Sequence, residues 1–185
     1  MKEIITIAGT VGSGKSTICN MLSKKLGYTC YVMGDIIRKL ANEHNMDIIE
    51  FNNLMATNPD IDHKVDDILV KIATEENKLI ISSRTGWHFI PSSFKVYLTI
   101  NDDEAAKRIY GDNDRISERK SDNIEHAKEN VIKRNVMETK RYLDVYGIDV
   151  SKKENYDLYL DTSDMSIDEV IDIIIEKYKE WMKGR

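Results

Sequence analysis

A chain of 185 residues that is 41% hydrophobic is long enough for one compact domain with a sizeable core. Its 27 Lys and Arg are outnumbered by 32 Asp and Glu, and the net charge of −5 argues against a nucleic-acid polymer as the main ligand. No apolar stretch approaches the roughly 20 residues that span a bilayer. The opening MKEIITIAGT is too short in apolar residues for a signal peptide. A cytoplasmic protein with no membrane partner is expected, and the mixed-sign charge fits a monomer. Cys19 and Cys30 have neither metal nor redox spacing and are expected to be two free thiols.

EIITIAG, near the start, is an almost continuous β-branched run, the pattern of a central parallel strand buried on both faces. KSTICNMLSKKLG then reads as a helix, with Ile18, Leu22 and Leu26 on one stripe and Gly27 as its stop. YTCYVM predicts a second strand, Gly34-Asp35 opens a helix through DIIRKLANEHN, and a short helix is expected near IIEFNNLM. NPDID is a turn and helix start, continued by HKVDDILVKIATEEN with Val65, Leu69 and Ile72 inward. KLIIS and FKVYLTI predict the third and fourth strands, and DDEAAKRIY a short helix. GDNDRISERKSD is almost without apolar residues and is expected to be an exposed loop. A long helix runs from about Asn123 to Tyr146 and stops at Gly147, and YDLYLDT is the fifth strand. The last helix carries Ile167, Val170, Ile171, Ile174, Tyr178 and Trp181 at helical spacing. Strands alternating with helices imply right-handed βαβ units and hence an α/β fold with a parallel sheet. Ligands bind such sheets at the carboxyl ends of the strands.

One motif falls at that place. Gly9-Thr10-Val11-Gly12-Ser13-Gly14-Lys15-Ser16 matches G-x-x-x-x-G-K-[ST] between a strand and a helix. The glycines let successive N–H groups turn inward around an anion, and the helix adds its positive end. Lys15 reaches the β- and γ-phosphates of a nucleoside triphosphate, and the Ser16 hydroxyl is placed to ligate Mg²⁺. ATP is the expected triphosphate. The guanine motif of a GTP switch is absent, since Asn77-Lys78-Leu79-Ile80 lacks its aspartate.

A small phosphotransferase needs a second anion site, and arginine forks suit it. Arg38 follows strand two, and Arg84 lies just past strand three. Arg134, Glu138 and Arg141, spaced by four and three, share one face of the long helix. That face is either a surface ion-pair ladder or a row that faces substrate, with arginines on phosphate and the carboxylate on a ribose hydroxyl. Arg115, Arg119 and Lys120 fall in the polar loop, where a basic lid would exclude water and stabilise transition-state charge. Trp87 and Phe89 beside Arg84 either stack on a base or pack at the strand end. His44, His63, His88 and His126 show no ligand spacing.

GTVGSGKST, GDIIRKLA, NPDID, SRTGWHF, FKVYL, RNVMETKRYLDVYGID and YDLYLDTS together resemble a nucleoside monophosphate kinase. The closer likeness is to the short, archaeal-type cytidylate kinase family, and it covers nearly the whole chain. The resemblance implies a P-loop three-layer fold with a five-stranded parallel sheet in the order 2-3-1-4-5. It also implies an NMP-binding insertion at about 34–76 and a lid at about 110–122. Residues Gly9 to Thr17 would hold the ATP phosphates, with Arg108 near the adenine side. Lys15, Arg115 and Arg119 would act on the transferring group, and Mg²⁺ would sit at Ser16. Arg38, Arg84, Arg134, Glu138 and Arg141 would hold the acceptor. Relatives often carry an acid before the arginine after strand three, where this chain has Ser82-Ser83; Asp35 or Asp62 would supply the missing carboxylate. The expected reaction is in-line transfer from ATP to CMP or dCMP. Other expectations are a shikimate- or dephospho-CoA-kinase-like enzyme, or a weakly catalytic ATP-binding regulatory module.

Overall fold

A computed structural model describes residues 2–46, 48–111 and 122–185. Lid arginines Arg115 and Arg119 lie outside the described residues, as does nearly all of the lid. The chain runs β1 Ile4–Gly9, α1 Lys15–Leu26, β2 Thr29–Val32, α2 Met33–Glu43, α3 Ile48–Thr57, α4 Pro59–Glu75, β3 Leu79–Ser82 and α5 Gly86–Phe89. It continues through β4 Phe94–Thr99, α6 Asp102–Gly111, α7 Ile124–Tyr146, a 3₁₀ turn at Lys153–Asn155, β5 Leu158–Asp161 and α8 Ile167–Lys183. The five strands are all parallel, in the order β2-β3-β1-β4-β5. This is the expected sheet.

β1 is central because all six of its residues are buried. Alternate side chains serve opposite faces. Ile5 and Ile7 join Phe94, Val96 and Leu98 beneath Ile18, Leu22, Ile171 and Ile174 of α1 and α8. Ile4, Leu79 and Ile81 face the other way, toward Met33, Phe51, Met55 and Leu69 of α2, α3 and α4. Three consecutive helices thus lie between β2 and β3 on one face of the sheet. A smaller cluster of Val11, Ile100, Ala105 and Val131 packs α6 and α7 beside the phosphate-loop motif. No helix among the described residues is long and apolar enough to cross a membrane.

Helix ends follow local chemistry. Asn58 caps α4 and Asn123 caps α7 through their side chains, and Ser166 with Glu169 forms a reciprocal capping box on α8. Gly27 and Gly147 close α1 and α7 in the left-handed conformation, as their positions in the sequence suggest. α2 begins at Met33, one residue before the expected glycine.

The expectation of two free thiols is corrected. Cys19 of α1 and Cys30 of β2 form a disulfide, with Cα atoms 5.9 Å apart. Packing of α1 over β2 produces this pairing, which an eleven-residue spacing does not announce.

Gly9 is the tightest backbone position. Its φ is +151°, and a Cβ there would lie 2.1 Å from the Leu98 carbonyl oxygen of β4. Gly9→Ala is therefore expected to cost roughly 2–4 kcal/mol in urea unfolding. A variant as stable as the parent would show that β1 and β4 can separate at this point.

Candidate active site

The phosphate loop leaves β1 at Gly9 and enters α1 at Gly14, whose φ of +83° lets the chain turn into the helix. The Thr10 N–H donates to the Leu98 carbonyl at 3.0 Å, tying the loop to β4. The Thr10 carbonyl in turn accepts from the Ser13 hydroxyl at 2.9 Å and from Lys15 Nζ at 2.6 Å. Gly12 is pressed against α6, where a Cβ would meet that of Ala105 at 2.8 Å. Ser16 and Thr17 are exposed in the first turn of α1. Gly9 to Thr17 thus form one continuous loop and helix start.

α7 closes over this loop with the face that the spacing singles out. Glu138 forms an ion pair with Arg84, whose guanidinium also donates to the Gly9 carbonyl. Arg134 lies 4.0 Å from the same Glu138 carboxylate. Burial works against the Arg84 charge, but the Glu138 carboxylate together with Tyr142 and Tyr97 outweighs it and raises the guanidinium pKa. Asn135 adds a contact that the sequence reading missed: its Oδ1 accepts from the Val11 N–H at 2.9 Å. Ile132 and Val136, on other faces of α7, are exposed.

Farther along α7, Arg141 pairs with Asp62 of α4 at 2.9 Å. One α4 turn on, Asp66 accepts from the Tyr146 hydroxyl and, at 3.2 Å, from the Thr85 hydroxyl. Asp62 and Asp66 are only 3% and 8% exposed, so both carboxylates lie inside the α4–α7 seam. Burial pushes both up from the ordinary carboxylate range; Arg141 opposes the shift at Asp62, and Tyr146 and Thr85 oppose it at Asp66. Asp66, Thr85 and Tyr146 were not anticipated. The four-residue spacing from Asp62 to Asp66 was the available signal.

Arg84, Arg134 and Glu138 are therefore brought together beside the loop, and the Arg141–Asp62 pair lies farther along α7. Arg38 is not part of this cluster: it pairs with Asp35 on α2, where Arg38 is half-buried and Asp35 exposed. Arg108 stands at the end of α6, donating to the Thr162 carbonyl at 3.0 Å and paired with Glu104 at 3.3 Å. Trp87 and Phe89 part company. Trp87 packs on Tyr156 near β4 and β5, and Phe89 packs on Tyr146 at the seam. A cavity of about 460 Å³ adjoins Thr10, Arg84 and Glu138, with Tyr97 among its lining residues.

This arrangement can hold a triphosphate on the loop and a second anion near Arg84 and Arg141. Residues 4–164 match the cytidylate kinase-like family. The chain belongs to that family. It is 36% identical over 160 residues to a cytidylate kinase from Methanothermobacter thermautotrophicus, covering 86% of this chain and 95% of that protein. A cytidylate kinase from Pyrococcus abyssi is 33% identical over 171 residues, covering 92% and 91%. An S-adenosylmethionine-dependent nucleotide dehydratase from Lacinutrix mariniflava is 34% identical over 97% of this chain, which spans only 37% of that protein. Among solved structures, shikimate kinase from Bacteroides thetaiotaomicron shares the fold, with a TM-score of 0.63 and 14% identity over 95% of this chain and 98% of that one. Membership makes the protein a kinase of the nucleotide-phosphorylating class.

The raised carboxylates give a signed pH effect. A carboxyl whose folded pKa lies above its unfolded value loses stability as pH rises from the unfolded pKa through the folded one. Asp66→Asn removes that loss, so the melting temperature of the variant relative to the parent should climb across that interval. A difference that stays flat with pH would contradict the buried, ionising Asp66.

Proposed function

We propose that the protein transfers the γ-phosphoryl group of ATP to a nucleoside monophosphate, with CMP and dCMP as the first-choice acceptors. The observation that carries this reading is that Glu138 of α7 pairs with Arg84 at the Gly9 carbonyl and Asn135 accepts from the Val11 N–H, with Arg134 beside Glu138 and Arg141 held on Asp62. A surface ladder would have left that face in solvent.

In this reading α2, α3 and α4 belong to the acceptor-binding insertion at about 34–76, and residues 110–122 are the lid. Successive N–H groups of Gly9 to Thr17 cradle the ATP phosphates, and Lys15 neutralises charge on the β- and γ-groups. Arg108 lines the adenine side. Arg84, Arg134 and Arg141 grip the acceptor phosphate, Glu138 takes a ribose hydroxyl, and Arg38 approaches from α2. Asp35 or Asp62 takes the place of the acid missing at Ser82-Ser83. An acceptor phosphate oxygen is already nucleophilic, so positioning and charge stabilisation replace a strong general base. The lid arginines Arg115 and Arg119 add charge stabilisation and exclude water.

Mg²⁺ fits this arrangement. The exposed Ser16 hydroxyl stands in the first turn of α1, and no group of three His, Cys, Asp or Glu side chains among the described residues could hold a metal by itself. A cation that takes most of its ligands from phosphate and water needs no more protein than that. When bound, it neutralises the developing charge between the phosphates. A cytoplasmic monomer acting on small nucleotides completes the proposal.

Lys15→Ala is expected to lower ADP formation from Mg-ATP and CMP by roughly a hundredfold or more while leaving the melting transition intact. Near-parental turnover would remove Lys15 from the mechanism. Arg141→Ala should raise the KM for CMP by about tenfold with little change in that for ATP. An unchanged acceptor KM would take Arg141 out of the site.

A further inference from the structure

The tip of the phosphate loop rests on one stripe of α7. Val131, Asn135 and Glu138 are spaced by four and three, so they share a helical face. Val131 joins Val11 in the small buried cluster with Ile100 and Ala105. Asn135 Oδ1 accepts from the Val11 N–H at 2.9 Å. Glu138 pairs with Arg84, whose guanidinium donates to the Gly9 carbonyl. Asn135 is the member of the stripe that bonds the loop's own backbone.

The peptide group it holds is also held by Lys15. The Thr10 carbonyl and the Val11 N–H belong to one planar unit and turn together. Lys15 Nζ donates to that carbonyl at 2.6 Å and the Ser13 hydroxyl donates to it at 2.9 Å. Asn135 holds the opposite, N–H end. Val11 is only 3% exposed, and a buried N–H has to find an acceptor. Two hydrogen bonds through one peptide thus run from the lysine of the phosphate loop to α7, and bonds in such a chain polarise one another. The amide suits the place. It accepts without a charge, where a carboxylate would set a negative charge beside a loop built for phosphate.

α7 carries Arg134 one residue before Asn135, and Glu138 and Arg141 about one and two turns after it. A helix moves as a stiff element, so what shifts it at Asn135 shifts these residues too. Resting on the reading of the protein as a nucleoside monophosphate kinase, we propose that Asn135 is a positioning residue that couples the two nucleotide sites. A triphosphate that draws Lys15 from the Thr10 carbonyl onto its β- and γ-groups changes what holds the Thr10–Val11 peptide. Asn135 passes that change to the arginines of α7, so ATP on the loop tightens the hold on the acceptor. By linkage the acceptor tightens the hold on ATP by the same factor. Asn135 acts through Val11 and the arginines, not on the transferring group.

The test measures CMP binding by calorimetry with and without a non-hydrolysable Mg-ATP analogue. In the unmodified protein the analogue is expected to tighten CMP binding by about tenfold. Asn135→Ala should reduce that factor to below about twofold, while CMP affinity without the analogue stays within about twofold of the parent. Asn135→Asp keeps an acceptor for Val11 and adds a charge, so it should preserve the factor while weakening the analogue's own binding. A merely structural role would lower the melting temperature and both affinities of the alanine variant and leave the factor unchanged, and that result would overturn the proposal. Loss of the factor in the aspartate variant would overturn it as well. Should Asn135→Ala lose its cooperative melting, Asn135→Gln keeps the amide but displaces it, and a factor equal to the parent's would contradict the coupling. Transfer to CMP by a protein whose CMP affinity ignores the analogue defeats this inference alone. Absence of CMP binding and of transfer, with the triphosphate bound, defeats the kinase reading and this inference with it.

Discussion

The contact between Arg84 and Glu138 joins three parts of the chain that are far apart in sequence. Arg84 follows β3, its guanidinium reaches the last carbonyl of β1, and its carboxylate partner projects from the middle of α7. Both side chains are mostly shielded, at 19% and 26% exposure. Such a pair differs from an exposed one, typically worth about 0–1 kcal/mol, because losing either partner strands a charge in a poorly solvated place. The pair fixes how α7 crosses the phosphate loop, and with it the positions of Asn135, Arg134 and Arg141.

The other arginines of the proposed acceptor site are also held by carboxylates: Arg38 by Asp35, Arg134 by Glu138 and Arg141 by Asp62. In the proposed reading an incoming phosphate exchanges one anion for another at Arg84 and Arg141, whose side chains are only 19% and 16% exposed, so neither is desolvated afresh on binding. The exchange also frees carboxylates to accept from donors on the same ligand.

Local patterns made the framework legible. The buried run before Gly9, the glycine spacing through Lys15, and the alternation of strands with amphipathic helices are properties of consecutive residues. The Arg134, Glu138 and Arg141 face follows from helical periodicity alone. The sheet order came from a likeness to known kinases rather than from any single element. What stayed hidden depends on packing between distant segments. Asp62 and Arg141 are 79 positions apart, and Val11 and Asn135 are 124 apart. No window of sequence shows that α4 lies against α7, so Asp66 reads as one more acid on a charged helix. The same holds for Trp87 and Phe89, two residues apart but turned to opposite neighbours, and for Cys19 with Cys30, joined only because α1 packs over β2.

The central claim is that one cleft passes a phosphoryl group from ATP directly to a nucleoside monophosphate. The most direct measurement mixes γ-labelled Mg-ATP with the purified protein and CMP and follows the label. The account predicts that the label appears in CDP, in step with ADP formation, and that little reaches inorganic phosphate. Label released only as inorganic phosphate, at a rate indifferent to CMP, would contradict it.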